Sequence, residues 1–225
     1  MMLQSKGILS PIQKSILTSF SRLKDSTSFY LTGGTALAEF YLGHRHSYDL
    51  DLFTPEKGLI LPFSRIVEDA FPKQGFSIKM VHRFESFVEF EVGTQEEKVR
   101  LQLALDSHLR FQQPNDSDIG IKVNDFQDLI VDKFLAFFGR AEPRDAVDLF
   151  YILQNQSFEE LMNLASEKDA GFDLYWLAIS LKKTKDFPDE IAKWPVQMIH
   201  SVNTIDIKNL FSSLLSEVMN KIQKR

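Results

Sequence analysis

Apolar residues in the first 123 positions follow helical spacing in some segments and strict alternation in others. Helical spacing predicts helices at about 10–24, 35–42 and 62–70. Ser10 and Pro11 provide an N-cap and a first-turn proline for the first of these, and Pro72 ends the last. Alternation predicts strands at 28–31, 48–53, 76–84, 87–92, 99–106 and 119–123.

From Asn124 onward the spacing of apolar residues is helical throughout. Asn124 with Gln127, and Ser157 with Glu160, have the spacing of capping boxes that open helices. We expect helices at about 124–140, 143–154, 157 onward, 171–183 and 205–222. The sequence therefore predicts an α/β (α+β) fold, with a mixed-sheet core at residues 1–123 and a helical domain at residues 124–225.

Composition narrows the classes of protein that this chain can represent. The 225 residues are 44% hydrophobic and include no cysteine, which excludes disulfides and thiolate metal sites. No early apolar run resembles a signal peptide or a membrane span, so we expect a cytoplasmic protein without membrane contact. The net charge of −5 gives no general sign of nucleic-acid binding, although a local basic patch would suffice for RNA.

The segment Leu31–Phe53 holds the most informative chemistry. It contains a Gly33-Gly34-Thr35 turn, then an apolar helical run, then Asp49 and Asp51 on a predicted strand. Alternating strand side chains share a face, so the two carboxylates lie roughly 6.5–7 Å apart on one face. Such a pair suits Mg²⁺, and glycines before a helix let backbone N–H groups approach a phosphate. The pattern predicts a site for a metal-bound nucleoside triphosphate; the alternatives are solvated carboxylates and a plain tight turn.

Two stretches of sequence, GGTALAEFYLGHRHSYDLDLF and PRDAVDLFYIL, resemble the AbiEii/AbiGii toxin-type nucleotidyltransferase family, within the polymerase-β-like superfamily. Lys133, in VDKFLAFFGRAEPRD, adds to the resemblance, which covers about Phe29 to Leu153. It implies transfer of a nucleoside monophosphate from an NTP with Mg²⁺ or Mn²⁺. It also implies an RNA acceptor such as tRNA and a separately encoded antitoxin as partner.

Pattern and resemblance together give two sets of candidate residues. The candidate catalytic residues are Asp49, Asp51, Asp106, Lys133 and Asp148, of which Asp49 and Asp51 are the metal ligands. The candidate nucleotide contacts are Gly33, Gly34, Thr35, Arg45, Ser47, Lys133 and Arg144. Simpler interpretations stay open for three of them: a solvated loop tip for Arg45, a lysine reaching along an apolar helix face for Lys133, and an i,i+4 salt bridge for Arg144 with Asp148.

One position departs from the family pattern. In VRLQLALDSHLRF, relatives carry an aspartate where this chain has Gln102. Asp106 lies on the same face but four strand residues away, which is roughly 13 Å. Either a bulge or twist brings Asp106 into the site, or the site lacks its third carboxylate.

These observations leave three functions open. The first is nucleotidyl transfer. The second, favoured by Gln102, is a nucleotide- or partner-binding protein that keeps the fold with weakened or absent turnover. The third, a phosphohydrolase or metal-dependent nuclease, is disfavoured because the glycine turn precedes the aspartates at nucleotidyltransferase spacing.

Overall fold

The computed structural model describes residues 2–107 and 109–224. The chain divides into two compact units, Met1–Phe126 and Gln127–Arg225. The division falls three residues after the boundary that the change of hydrophobic period predicts.

The first unit contains a mixed six-stranded sheet within the described residues. Its strands are β1 (Tyr30–Thr32), β2 (Leu50–Thr54), β3 (Ser77–Phe84), β4 (Phe87–Gly93), β5 (Lys98–Leu105) and β6 (Lys122–Val123). Their order is β3-β4-β5-β2-β1-β6, with β2 parallel to β5, β1 parallel to β6 and the other pairs antiparallel. The predicted mixed α/β core is confirmed.

Two helices cover one face of this sheet. α1 (Pro11–Ser21) and α3 (Ile60–Lys73) contact the strands and enclose a fully buried aromatic cluster of Phe20, Phe29 and Phe63. α1 begins with the predicted N-cap serine. The prediction that Pro72 ends α3 is wrong, because the helix continues through this proline to Lys73.

Between β1 and β2 the chain forms a short helix with an unusual second half. α2 (Gly33–Ala36) widens into a π-helical segment, Leu37–Leu42. Within that segment the carboxylate of Glu39, only 1% exposed, accepts three backbone hydrogen bonds. The donors are the N–H groups of Gly7, Ile8 and Leu9, at 2.8, 2.7 and 2.8 Å. Glu39 therefore fixes the beginning of the chain to the segment that follows the glycine turn.

The described part of the second unit is helical. Its helices are α4 (Phe126–Arg140, which begins at the last residue of the first unit), α5 (Pro143–Ile152), α6 (Phe158–Lys168), α7 (Leu174–Lys183) and α8 (Thr204–Gln223). α6 has the predicted serine cap, since the Ser157 side chain accepts a hydrogen bond from the Glu160 N–H. Among the described residues, no helix is long and apolar enough to cross a membrane.

A buried charge cluster ties α6 to α4 inside the second unit. The Lys168 ammonium lies 2.9 Å from a carboxylate oxygen of Asp128 and 2.7 Å from one of Asp132. Burial lowers the pKa of Lys168, but the two carboxylates outweigh it, and the net pKa is raised. The lysine therefore stays charged in a largely enclosed position.

Candidate active site

The glycine turn and the Asp-x-Asp segment are in direct contact. Gly33 has a φ of +70°, which favours glycine, and β1 pairs with β2 so that Thr32 lies opposite Asp51. A Cβ placed on Gly33 would lie 2.0 Å from Oδ2 of Asp51. The carboxylate thus occupies the space that any larger residue at position 33 would need.

The second glycine makes room for two polar side chains. A Cβ on Gly34 would lie 2.7 Å from an Arg45 guanidinium nitrogen and 2.8 Å from the Ser47 hydroxyl. Arg45 is only 5% exposed and donates a 2.9 Å hydrogen bond to the His46 carbonyl. The alternative of a solvated loop tip is therefore wrong for Arg45, since this cation is buried beside the turn.

Side chains from two other elements fix the loop that leads into β2. The Thr35 hydroxyl donates to the Asp49 carbonyl. The amide of Gln13, on α1, donates to the carbonyls of Ser47 and Tyr48 at 2.8 and 3.1 Å. As a result, Asp49 lies just before β2, whereas the pattern placed it inside a strand that begins at Tyr48.

Polar side chains continue across the sheet from the aspartates. Gln102 on β5 is the register partner of Asp51, and Glu89 on β4 is the partner of Gln102. The Gln102 amide nitrogen donates to Glu89 Oε2 at 2.8 Å. Next to this row, Arg100 Nε lies 3.8 Å from Oδ1 of Asp49, a long ion pair that tempers the negative charge there.

Asp106 lies elsewhere and has cationic and polar partners of its own. Its carboxylate accepts hydrogen bonds from the Tyr30 hydroxyl and, at 2.8 Å, from Arg110. The pairing of β2 with β5 runs without a register shift, so no bulge between them moves Asp106 towards Gln102. The bulge that would bring Asp106 to position 102 is therefore absent from the β2–β5 pairing, and a catalytic role for Asp106 stays a prediction.

The two aspartates fit a divalent cation whose other ligands come from outside the protein. Within the described residues, no group of three or more histidine, cysteine, aspartate or glutamate side chains is arranged to hold a metal ion. Mg²⁺ is commonly bound by one or two carboxylates together with phosphate oxygens and water. Asp49 and Asp51, on either side of the buried Leu50, match that incomplete set, and the close fit of Asp51 against Gly33 fixes one of them.

Two further candidates, Lys133 and Asp148, form a buried ion pair within the second unit. Lys133 Nζ lies 3.0 Å from Oδ2 of Asp148, with side-chain exposures of 10% and 0%. Lys133 therefore does not extend along the helix into solvent, as the simpler interpretation had it. The nucleotide-binding role that the resemblance implies for Lys133 stays a prediction.

Arg144 takes a partner other than the expected one. Its Nε lies 2.8 Å from a carboxylate oxygen of Glu142, whereas the helix spacing pointed to a salt bridge with Asp148. Nearby, Arg140 forms two hydrogen bonds to the buried carboxylate of Asp145, at 2.6 and 2.7 Å. The hydrogen bonding that Arg140 donates to Asp145 raises the pKa of Arg140, although burial opposes this rise.

Reasoning from sequence missed Glu89. The alternation in FVEFEV places Glu89 and Glu91 on the same face of β4, and that pattern was the available signal. What the pattern could not supply was the register of β4 against β5, which decides that Glu89 and not Glu91 lies opposite Gln102.

Comparison with known proteins adds a family and a set of similar folds. The family model for the nucleotidyl transferase AbiEii toxin of a type IV toxin–antitoxin system matches residues 15–220. No curated protein matches the chain.

Three solved structures resemble the chain to different degrees. A Helicobacter pylori protein provisionally described as a nucleotidyltransferase is 18% identical, with a TM-score of 0.60 over 94% of this chain and 93% of that one. JHP933 from Helicobacter pylori is 18% identical, with a TM-score of 0.59 over 94% and 90%. MenT4, the nucleotidyltransferase toxin Rv2826c from Mycobacterium tuberculosis H37Rv, is 16% identical, with a TM-score of 0.47 over 77% and 64%.

At these identities the two Helicobacter pylori structures show a shared fold and no more. The family match is a separate finding and spans most of the chain, including the glycine turn, both aspartates and the Lys133 and Asp148 positions. The protein belongs to the AbiEii nucleotidyltransferase toxin family, as the resemblance of its motifs predicts.

Proposed function

We propose that this protein transfers a nucleoside monophosphate from an NTP to an acceptor in the cytoplasm, with Mg²⁺ or Mn²⁺ bound by Asp49 and Asp51. One observation carries the proposal: the Asp51 carboxylate occupies the space beside Gly33 that a Cβ would need. A turn suited to phosphate and a carboxylate suited to a cation therefore lie side by side.

In the proposed reaction, an acceptor oxygen bonds to the α-phosphorus as the bond from that phosphorus to the β-bridging oxygen breaks. Pyrophosphate leaves, and the proton of the acceptor hydroxyl passes to solvent. A bound divalent cation stabilises the oxygens on which negative charge develops. Asp49 and Asp51 hold that cation, and Arg45 supplies a fixed positive charge beside Gly34 to which a phosphate oxygen can bind.

We further propose an RNA acceptor, such as tRNA, and a cognate antitoxin encoded by a separate gene. The support is the description of the family as a toxin of a type IV toxin–antitoxin system. Expression of the protein alone should then arrest growth, and Asp51→Asn should relieve the arrest. Co-expression of the neighbouring gene should relieve it as well.

Gln102 favours a second candidate, a protein that binds nucleotide without turnover. The residue beside Asp51 on the next strand is a neutral amide, which binds a cation more weakly than a carboxylate and cannot act as a base. In this alternative the fold and the NTP site persist, and transfer is lost or much slowed.

Incubation with each labelled NTP, Mg²⁺ or Mn²⁺, and total RNA distinguishes the candidates. Transfer of label to RNA, abolished by Asp49→Asn and by Asp51→Asn, supports the proposal. Asp69→Asn is the matched control, because Asp69 is an exposed aspartate of α3 in the same unit. Retention of NTP without transfer supports the second candidate, and phosphate release or RNA cleavage would point to a hydrolase or nuclease.

A further inference from the structure

A row of polar side chains crosses the sheet at the level of Asp51. In register order it contains Asp51 on β2, Gln102 on β5, Glu89 on β4 and His82 on β3. Paired residues on neighbouring strands share a face, so these side chains lie next to one another. Gln102 therefore lies between the candidate metal ligand and a carboxylate that no motif accounts for.

The contacts of Glu89 determine which way the Gln102 amide faces. Glu89 Oε2 accepts the 2.8 Å hydrogen bond from the Gln102 amide nitrogen, and Glu89 Oε1 lies 3.7 Å from His82 Nδ1. The Glu89 side chain is only 14% exposed, so its orientation is restricted. With the amide nitrogen directed towards β4, the amide oxygen is the atom that Gln102 can present on the β2 side.

We propose that Glu89 is a positioning residue of the active site, which orients Gln102 so that its amide oxygen, and not its NH₂ group, faces a cation held by Asp51. This inference rests on the proposed metal-dependent function. Neighbouring strands lie about 4.8 Å apart, so the backbones at Glu89 and Asp51 are separated by about 10 Å. Glu89 thus acts through Gln102 and does not itself need to bind the cation.

The orientation matters because the two ends of an amide have opposite polarity. Without an acceptor on the β4 side, Gln102 can rotate and direct its NH₂ group at the cation, which repels it. Residues that orient a metal ligand in this way typically change metal affinity by about 10- to 100-fold when they are mutated. The chain thereby retains a third oxygen near Asp51 although it lacks the carboxylate that the family pattern places at position 102.

Binding of Mn²⁺ alone to the full chain, followed by electron paramagnetic resonance, tests the inference without requiring turnover. Glu89→Ala and Gln102→Ala should each weaken Mn²⁺ binding by about tenfold. The double variant should be no weaker than Gln102→Ala, because both changes remove the same oriented oxygen. Glu85→Ala is the matched control, since Glu85 is an exposed glutamate in the β3–β4 turn and should leave Mn²⁺ affinity unchanged.

Glu89→Gln separates orientation from charge. A glutamine side chain can still accept the hydrogen bond through its own oxygen, so affinity should stay within about twofold of wild type. It also serves as the informative variant if Glu89→Ala fails to fold. A loss in Glu89→Gln equal to that in Glu89→Ala would overturn the orienting role, as would additive losses in the double variant.

Asp51→Asn separates this inference from the proposed function. If Asp51→Asn loses Mn²⁺ and Glu89→Ala binds it normally, the inference about Glu89 fails and the proposed function stands. If Asp51→Asn binds Mn²⁺ as wild type does, the metal site of the proposed function is itself wrong.

Discussion

Replacing Gly33 with alanine should damage the active site much more than the fold. The new Cβ would lie 2.0 Å from Oδ2 of Asp51, where ordinary contact begins at 3.4 Å. The carboxylate or the turn must therefore shift by about 1.4 Å, the difference between these two distances. Because misplacement of about 1 Å typically reduces catalysis on the order of 100-fold, we expect losses of that size in transfer activity. Mn²⁺ affinity should fall as well, since metal ligands tolerate only about 0.2 Å of error.

The same substitution also strains the backbone, and that effect can be measured separately. A left-handed φ costs a non-glycine residue about 1–2 kcal/mol. Gly58 has a φ of +79°, and a Cβ added there would meet no atom within 4 Å, so Gly58→Ala introduces the strain without a clash. Gly33→Ala should lose at least as much stability in urea unfolding as Gly58→Ala, and only Gly33→Ala should lose Mn²⁺ affinity. A Gly33→Ala protein that binds Mn²⁺ as tightly as Gly58→Ala does would refute the reasoning.

Three further predictions concern the stability of the second unit, and urea unfolding measures each of them. Lys133→Met should lower the free energy of unfolding by about 3–5 kcal/mol, because it removes the ammonium group 3.0 Å from the fully buried Asp148 carboxylate, and adding Asp148→Asn should recover most of the loss. Lys168→Met should lower the free energy of unfolding by a similar amount, since it removes the ammonium group that lies beside the Asp128 and Asp132 carboxylates. The pKa of Lys168 is raised in the folded state. The contribution of Lys168 to the free energy of unfolding is therefore complete below the unfolded pKa of about 10.4 and is lost as the pH rises through the folded pKa. The difference in stability between Lys168→Met and wild type should hold at neutral pH and narrow only in strong alkali. Gly139→Ala should raise the free energy of unfolding by about 0.5–1 kcal/mol, because Gly139 lies within α4 and its added methyl meets no atom within 4 Å. An unchanged urea midpoint would contradict this argument from helix propensity.

Features that depend on local pattern were predictable from the sequence. The alternation around β4 and β5 and the helical spacing after Asn124 both predict elements that the structure contains. The predictions of these elements needed only residue type and periodicity. The contact between the Gly33 turn and Asp51 depends in addition on the pairing of β1 with β2.

Features that depend on pairing between distant segments were not predictable. Arg45 lies in a polar stretch typical of an exposed loop, yet Gly34 leaves space in which its guanidinium is buried. Lys133 and Asp148 are on different helices, and neither helix pattern alone indicates that they pair. The partnership of Glu89 with Gln102 likewise depends on strand register, which a hairpin of different length would change.

The hydrogen bonds of Glu39 set a limit on how far the chain can be shortened. A version that begins after Leu9 would lack all three backbone donors, and a carboxylate that is 1% exposed would be left without them. Losing hydrogen bonds to a buried charged group costs about 1.5–3 kcal/mol each, and the carboxylate belongs to the helical segment directly after the glycine turn. Residues 7–9 thus support the active site without contributing a side chain to it, and truncated versions prepared for biochemistry should begin before Gly7.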